Sequence, residues 1–379
     1  MKFLHLSDLH LGKRVNEFSM LDDQNCILKE ILAVADREKP DGVFIAGDIY
    51  DKSVPSAEAT ALFDEFLVAL SGRGIKTFVI YGNHDSAERT AFGSRLMTGS
   101  GVYSSPVWNG GVSPVILSDK NGETAIYMLP FLKPAHVKRY FEDAQTDGYT
   151  DALRTVIDSL DIDTSRRNIL ITHQFITGAE RTESEEISVG GSENVDAGIF
   201  SVFDYVALGH IHRPQNFSGG RIRYCGSPLK YSFSEVKDEK SVTVVDLPEK
   251  GALSVRTVPL KPMRDMREIR GKYDDIMAKS FYDGTDYPQS YLRVTLTDEE
   301  DIPEAFAKLR TVYPFIMKLD YDNTRTRSNA AVTGAEDVER KSPFELFGEF
   351  FVLQNNKPMS AEQTEIVKTL IEKAWEGEE

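Results

Sequence analysis

Five of the seven histidines in this sequence follow a short apolar run, and carboxylate or amide side chains occur at the same places. The polar residues at these run ends are Asp8, His10, Asp48, Asn83, His84, His173, His210 and His212. Taken singly, Asp48 could cap a turn and His173 could be a hydrogen-bonded core imidazole. For the whole set, such explanations require repeated coincidence. The set therefore indicates a site built from the ends of buried strands.

The first ninety residues alternate between apolar runs and helical patterns. The apolar runs are residues 3–6, "GVFIAGD" and "KTFVIYGNHD". Pro40 closes the first helical pattern between them, and Ser56 can cap the second. Connections of this length predict right-handed crossovers and a parallel sheet. Ligands bind beyond the carboxyl ends of such strands, so the polar residues that follow them are expected to share one edge.

Composition limits the class of protein. The 379 residues are 41% hydrophobic and 27% charged, which is typical of a soluble globular protein with two domains or one large domain and an appendage. There is no run long enough to span a bilayer, no signal-peptide pattern, and only Cys26 and Cys225 as cysteines, so we expect a cytoplasmic protein without membrane contact. The net charge of −16 means that a phosphate-bearing substrate must be attracted locally.

The pattern changes beyond residue 100. "VSPVILSDKNGETAIYMLPF" predicts a hairpin around Asn121 and Gly122, and residues 221–225, 240–247 and 253–259 look like short antiparallel strands of a second sheet. Residues 262–327 predict a small α+β domain, with a helix over 266–277. Residues 328–341 form a polar linker, and two helices are predicted over residues 342–379.

The polar residues at the strand ends have the composition of a two-metal site. Two divalent ions about 3.5–4 Å apart need a bridging carboxylate, and Asp48 follows the central strand of the first three. Asp8, His10 and one distant histidine would complete one ion, while Asn83, His173 and another would complete the second. Oxygen and imidazole ligands without thiolate suit Mn²⁺, Fe²⁺ or Zn²⁺ better than Ca²⁺ or Mg²⁺. His84 is then left to contact a phosphoryl group or to protonate a leaving oxygen.

The motifs "DLH", "GD", "GNHD", "H" and "GHIH", in this order, resemble those of the calcineurin-like metallophosphoesterases. The resemblance implies an α/β fold in which a two-sheet sandwich is flanked by helices, with a catalytic domain over residues 1–261. It also implies a capping, DNA-recognition domain over 262–327, before the linker and the C-terminal helices. By the same resemblance His212 joins Asp8 and His10 on one ion, and His210 joins Asn83 and His173 on the other.

Further segments resemble the DNA-nuclease branch of this superfamily, among them "HLSDLHLGK", "SVGGSENV", "YCGSPLKYSFSE" and "KPMRDMREIRG". That likeness implies a manganese-dependent nuclease of DNA repair, recombination and replication, with 3′→5′ exonuclease action on double strands and endonuclease action on single strands and hairpins. It further implies an SMC-like coiled-coil ATPase as partner and a homodimer within a heterotetramer. The alternatives are a small-molecule phosphodiesterase or phosphatase on the same core, and a scaffold without catalysis.

Residues 205–234 contain no Asp or Glu, although the chain is acidic overall. Arg213, Arg221 and Arg223 lie in this window and are candidate DNA or phosphate contacts, because positive side chains position phosphates. Four aromatic residues lie among them, namely Phe217, Tyr224, Tyr231 and Phe233. Aromatic faces can stack on unpaired bases, but core packing is the favoured interpretation for these four.

The segment "SPFELFGEFFVLQ" predicts a helix capped by Ser342 with Pro343 in its first turn. Its apolar residues cover nearly the whole circumference, more than one core-facing stripe requires. The candidate partner-binding residues are Phe344, Phe347, Phe350 and Phe351. The resemblance makes the base of the partner ATPase's coiled coil the expected groove. Alternatively, both C-terminal helices pack on the catalytic core or on a second copy of the chain.

Overall fold

The computed structural model describes residues 1–144, 146–185, 194–331, 343–355 and 358–376, and it divides into two compact units, Met1–Arg264 and Asp265–Glu379. No helix within these described ranges is long and apolar enough to cross a membrane. The described strands of the first unit are β1 (Lys2–Leu6), β2 (Arg14–Val15), β3 (Phe18–Ser19), β4 (Gly42–Ala46), β5 (Lys76–Ile80), β6 (Val102–Ser104), β7 (Val115–Asp119), β8 (Gly122–Leu129), β9 (Arg167–His173), β10 (Phe175–Ile176), β11 (Asn194–Val195), β12 (Tyr205–Gly209), β13 (Gln215–Phe217), β14 (Ile222–Tyr224), β15 (Ser241–Asp246) and β16 (Ser254–Pro259). Its described α-helices are α1 (Leu21–Glu38), α2 (Ala57–Gly72), α3 (Ala87–Ala91), α4 (Ser94–Met97), α5 (Pro134–Lys138) and α6 (Tyr149–Asp158).

Two six-stranded sheets form the first unit. The first has the order β16-β15-β1-β4-β5-β6, and its β1, β4, β5 and β6 are parallel. The second has the order β13-β14-β12-β9-β8-β7, and its four inner strands are parallel. The parallel sheet predicted for the first ninety residues is therefore confirmed, as is the hairpin between β7 and β8. Ser56 caps α2 as predicted, because its hydroxyl accepts a hydrogen bond of 3.2 Å from the Ala59 backbone N–H.

The two sheets pack face to face around an apolar core. Phe3, Phe44 and Phe78 of the first sheet meet Ile169 and Ile171 of the second. The opposite face of the second sheet is covered by a second core, to which α6 contributes. Strands buried on both faces need apolar side chains at successive positions, which explains the continuous apolar runs in the sequence. This sandwich flanked by helices confirms the predicted α/β fold.

One prediction about the sheets is wrong. Residues 240–247 and 253–259 were expected in the second sheet, yet β15 and β16 extend the first sheet beyond β1. β15 pairs antiparallel with β1, with Phe3 opposite Val245, and it buries Val242 and Val244. An apolar pattern predicts that a strand is buried, but it does not select the neighbour with which the strand pairs. Of the three predicted strands, only β14 belongs to the second sheet.

The second unit contains β17 (Met266–Gly271), β18 (Tyr291–Leu296) and β19 (Ile316–Tyr321), which form one parallel sheet in that order. Its described α-helices are α7 (Tyr273–Met277), α8 (Lys279–Tyr282), α9 (Ala305–Arg310), α10 (Thr324–Ala331), α11 (Pro343–Asn355) and α12 (Ala361–Glu376). The helix predicted over residues 266–277 is wrong in its first half, which is β17. The charged residues of "MREIRG" suit an exposed helix, but pairing with β18 and burial of Met266 and Ile269 outweigh that propensity.

Candidate active site

The loops that follow the strands hold four of the predicted site residues in unusual backbone conformations. Asp8, His10, Asp48 and His210 have φ angles of 52°, 44°, 50° and 103°. Positive φ is uncommon for residues other than glycine and costs on the order of 1–3 kcal/mol at each position. The loops after β1 and β4 hold each other, because Asp8 N–H donates to the Gly47 carbonyl at 3.1 Å and His10 N–H donates to the Asp48 carbonyl at 3.0 Å. The fold maintains this strain at four residues of one cluster, which indicates a function for the cluster.

Glycines precede three of the site residues because no side chain fits there. A Cβ on Gly82 would lie 2.2 Å from Asp48 Oδ1, and one on Gly47 would lie 2.5 Å from His173 Nδ1. A Cβ on Gly209 would lie 1.9 Å from the Ala46 carbonyl oxygen. These contacts are far below van der Waals distance. The glycines of "GD" and "GH" thus allow the two sheets to bring their strand ends together, and the glycine of "GN" allows the loops after β4 and β5 to approach each other.

Asp48 lies at the centre of the cluster. Its Oδ2 is 3.3 Å from His173 Nε2, 3.7 Å from His10 Nε2 and 4.0 Å from His84 Nε2. The carboxyl group is 2% exposed, and burial favours its neutral acid, but the His173 ring beside it outweighs burial and holds the pKa of Asp48 well below the usual range. Asp48 is therefore an ionised carboxylate surrounded by nitrogen ligands, which is the environment that a bridging group requires.

The first group of candidate ligands consists of Asp8, His10 and His212, whose ligand atoms lie within 4.8 Å of one another. The Nε2 atoms of His10 and His212 are only 3.0 Å apart. Burial lowers the pKa of His212 to about 3 and that of His10 well below its usual value, so both rings are neutral. Neutral imidazoles offer a lone pair, and this group matches the ligand set that the resemblance implies for one ion.

The second group contains Asn83, His173 and His210. Asn83 Oδ1 lies 3.0 Å from His173 Nε2 and 3.0 Å from His210 Nδ1. His173 Nδ1 donates to the Ala46 carbonyl at 2.8 Å, which points Nε2 at Asp48 and Asn83. Burial opposes protonation of His173, but the Asp48 carboxylate outweighs it and raises the pKa to about 9. Nε2 therefore lies where a positive charge is favoured, and a metal ion bound there would replace the Nε2 proton.

His84 lies at the outer side of these groups. Its side chain is 13% exposed, whereas the Asp48 side chain beside it is 2% exposed. Its Nδ1 donates to the Asp51 carbonyl at 3.1 Å, and its backbone N–H donates to Asp48 Oδ1 at 3.0 Å. The ring thus presents Nε2 to the site. His84 Nε2 is also close enough to His10 and Asp48 to share an ion with them.

Several residues of the site were not predicted from the sequence. Asp85 accepts hydrogen bonds from the backbone N–H groups of Gly82, Ile49 and Tyr50, and so ties the loop after β5 to the loop after β4. It belongs to the "GNHD" motif, which was the available signal. A second set surrounds His212, namely Ser184, Glu185, Glu235 and Lys240. Glu235 ends the segment "YCGSPLKYSFSE", but no spacing in the sequence connects these four residues.

The three arginines of the acid-free window have different environments. Arg213 pairs with Asp238 at 3.0 Å and Glu180 at 3.2 Å, and Arg221 Nη1 donates to the Ser201 carbonyl at 3.3 Å. Arg223 is only 6% exposed. The neighbouring aromatic residues pack in the core, as the sequence predicts. Tyr224, Tyr231 and Phe233 are buried, and Phe217 packs against the core.

The phenylalanines of α11 remain accessible within the second unit. Phe347 is 40% exposed and Phe350 is 56% exposed, whereas Phe344 and Phe351 are half-buried. Ile366 and Leu370 of α12 are 54% and 61% exposed. The predicted cap Ser342 lies outside the described residues.

The sequence of this chain is similar to known proteins over nearly its whole length. Residues 1–214 match the family model of calcineurin-like phosphoesterases, and residues 262–355 match that of the Type 5 capsule protein repressor C-terminal domain. The chain is 33% identical, over 378 residues covering 98% of each protein, to the SbcD subunit of the nuclease SbcCD of Staphylococcus epidermidis. A crystal structure of TT1561 of Thermus thermophilus is similar with a TM-score of 0.36 and 12% identity, covering 68% of this chain and 98% of that one. The strand-end residues all fall within the first matched range.

Proposed function

Because the chain belongs to the calcineurin-like phosphoesterase family and, within it, to the SbcD nucleases, we propose that it is the two-metal nuclease subunit of a DNA-processing complex in the cytoplasm. The proposed activities are 3′→5′ exonuclease action on double strands and endonuclease action on single strands and hairpins, in DNA repair, recombination and replication. The observation that carries the proposal is the convergence of candidate ligands from the ends of five strands around the buried Asp48 carboxylate.

The family binds divalent metal, and the residues of this site fit such ions. We assign Asp8, His10 and His212 to one ion and Asn83, His173 and His210 to the other, with Asp48 between them. The absence of thiolate and the mixture of carboxylate, amide and imidazole support Mn²⁺ as the metal. When bound, the ions polarise the phosphoryl oxygens and offset the negative charge that develops on them.

His84 is the proposed catalytic residue. Its Nδ1–H bond to the Asp51 carbonyl fixes the ring plane, so Nε2 is the atom that faces a substrate. When the ring carries a proton on both nitrogens, Nε2–H can donate to a phosphoryl oxygen or give its proton to the leaving oxygen, while Nδ1–H stays on the Asp51 carbonyl. All candidate ligands except the half-buried Asn83 are deeply buried and exclude water from the far side of the cluster, so the substrate approaches from the side of His84.

The decisive experiment is a nuclease assay of the purified chain with Mn²⁺, with and without the ATPase partner, on blunt duplex and hairpin DNA. Cleavage of both substrates with Mn²⁺ and none after chelation supports the proposal. The parallel substrate is a p-nitrophenyl phosphate ester. Efficient hydrolysis of this ester without DNA cleavage would replace the proposal with a small-molecule phosphodiesterase or phosphatase.

DNA contact is proposed for the acid-free window because a local positive charge must overcome the net charge of −16. Arg223 supports this most directly. Its guanidinium bonds Thr243 Oγ1 at 2.9 Å and Asn216 Oδ1 at 2.6 Å, and it forms no ion pair with any described residue. It also lines a cavity of 660 Å³ together with Arg256. A buried guanidinium without a carboxylate favours an anion such as a DNA phosphate.

Replacing Arg213, Arg221 and Arg223 together with Gln is expected to weaken DNA binding and to flatten its salt dependence. Each lost phosphate contact removes about 0.9 from the slope of log K against log salt. Fluorescence anisotropy of a labelled duplex across a salt series measures the slope, and hydrolysis of a small phosphodiester should stay near its original rate. Arg73→Gln, an exposed arginine paired with Asp36, is the matched control. An unchanged slope in the triple variant would mean that the three arginines have only a structural role.

We further propose that α11 and α12 bind an SbcC-type coiled-coil ATPase. The exposed Phe347 and Phe350 lie on one helix, and Ile366 and Leu370 lie on the next. Large apolar side chains at the surface usually mark a partner, and an apolar helix in a groove is a common mode of binding.

The complex is proposed to contain two copies of this chain. Phe92, which directly follows α3, and Leu96 in α4 are strongly exposed and support contact between copies in the first unit.

Deleting residues 342–379 is expected to leave Mn²⁺ binding and basal phosphodiesterase activity unchanged but to abolish co-purification with the ATPase. The double variant Phe347→Ser, Phe350→Ser should reproduce the loss, because both side chains are anchors with 40% and 56% exposure. Phe306→Ser is the control, since Phe306 is 37% exposed on α9 of the same unit. Pull-down at the original yield by the truncated chain would show that this tail is not the docking element.

A further inference from the structure

A serine from the loop after β10 contacts one of the proposed metal ligands. Ser184 Oγ lies 2.6 Å from His212 Nδ1 and 2.7 Å from Glu235 Oε1. A carboxylate only accepts hydrogen bonds, so the Ser184 hydroxyl donates to Glu235 and accepts the Nδ1–H of His212. This arrangement leaves Nε2 of His212 without a proton. That is the atom which faces His10 Nε2 at 3.0 Å.

Glu235 is held in place by a buried network. It is 0% exposed, and Lys240 Nζ donates to its Oε2 at 2.6 Å. Burial favours the neutral acid, but the Lys240 ammonium outweighs it and lowers the pKa of Glu235 to about 2. Lys240 Nζ also donates to the His212 carbonyl at 2.8 Å. Buried ion pairs are maintained only where their remaining hydrogen bonds are satisfied, and this network is connected to His212 at two atoms.

The residue after Ser184 holds the backbone of the same histidine. Glu185 Oε1 accepts a hydrogen bond of 2.7 Å from the His212 N–H, and its Oε2 accepts one from the Thr182 N–H. Glu185 is 7% exposed, so this contact is buried. Two consecutive residues of one loop thus bind the ring and the main chain of His212. A loop that only covered the surface would not place two polar side chains in the interior.

We propose that Ser184, supported by Glu235, is a positioning residue that fixes the tautomer and the ring orientation of His212 for metal binding. Residues 182–185 are then part of the metal centre. The inference rests on the proposed function in one respect, the assignment of His212 as a ligand. Partners of a metal-bound histidine contribute about 10–100-fold to metal affinity, because they select the free nitrogen and hold the ring.

The test compares three serine variants of the full chain. Ser184→Ala should weaken binding of one Mn²⁺ ion by about 10–100-fold while the second ion binds as before, measured by electron paramagnetic resonance of free Mn²⁺ during titration. Ser184→Thr, which keeps the hydroxyl, should restore binding. Ser232→Ala is the matched control: its hydroxyl donates to the same Glu235 oxygen at 3.1 Å but does not touch the histidine. This control should bind both ions like the original protein.

A second measurement does not depend on metal. Nitrogen chemical shifts of the imidazoles in the metal-free protein report which ring nitrogen carries the proton. His212 should carry it on Nδ1 in the original protein and lose this preference in Ser184→Ala, with thermal unfolding used to verify that the variant is folded. Two-ion binding by Ser184→Ala at original affinity, or an unchanged His212 tautomer, would overturn the positioning role. If the original protein itself binds no second ion, the proposed function fails first, and the tautomer measurement still decides the role of Ser184.

Discussion

Replacing Asp48 by Ala is expected to abolish phosphodiester hydrolysis and to prevent the chain from holding two metal ions. The Asp48 carboxylate is the only described carboxylate within 4.0 Å of His173, His10 and His84 together. Without it, two divalent cations about 3.5–4 Å apart would repel each other with no shared anion between them. Elemental analysis of metal per chain, alongside the DNA cleavage assay, measures both effects.

The Asp48→Asn variant separates loss of charge from loss of loop structure. Asp48 Oδ1 accepts the His84 backbone N–H at 3.0 Å, and an Asn side chain can still accept this bond. Both variants should therefore lose metal, but only the alanine variant should also disturb the loop after β5. Asp36→Asn, an exposed carboxylate on α1, is the control for a change of one charge. Two ions per chain in Asp48→Ala would make the bridging assignment wrong.

The sequence predicts well which residues belong to this site, because the order of the strands in a sheet determines which strand ends are neighbours. Asp8, Asp48 and Asn83 follow three neighbouring parallel strands, so their proximity follows from the fold of the first ninety residues. His173 is the last residue of β9 and His210 follows β12, and both strands lie in the other sheet. Their meeting with the first group depends on how the two sheets face each other. Only the packed structure gives the distances that relate them, such as 3.3 Å from His173 to Asp48.

The sequence does not predict contacts between irregular segments that lie far apart in the chain. Ser184, Glu235 and Lys240 are polar residues in irregular segments, and nothing in their spacing relates them to His212. The same limitation placed β15 and β16 in the wrong sheet, since a strand's apolar pattern contains no information about its partner. The sequence predicts a helix where β17 lies for a related reason. Its local propensity favoured one structure, and its pairing with β18 favoured another.

His84→Ala is expected to keep both metal ions while slowing the chemical step by roughly 10²–10⁴-fold, the usual contribution of a positioned acid or charge stabiliser. The expectation follows from its place at the open side of the cluster, with 13% of the side chain exposed. Removing the ring also removes its bond to the Asp51 carbonyl, which involves no candidate ligand side chain. Single-turnover kinetics with saturating Mn²⁺ measure the chemical step, and elemental analysis measures the metal.

Distance alone leaves a second role for His84, because its Nε2 can share an ion with His10 and Asp48. Metal content distinguishes the two roles. Replacing a metal ligand causes loss of the bound ion, whereas replacing a catalytic residue leaves both ions bound. His136→Ala, which removes an exposed imidazole on α5, controls for the loss of one histidine. If the His84→Ala variant binds only one ion, His84 is a metal ligand. Retention of two ions with a slowed chemical step would instead keep its Nε2 available for the phosphoryl group, since no ion would occupy it.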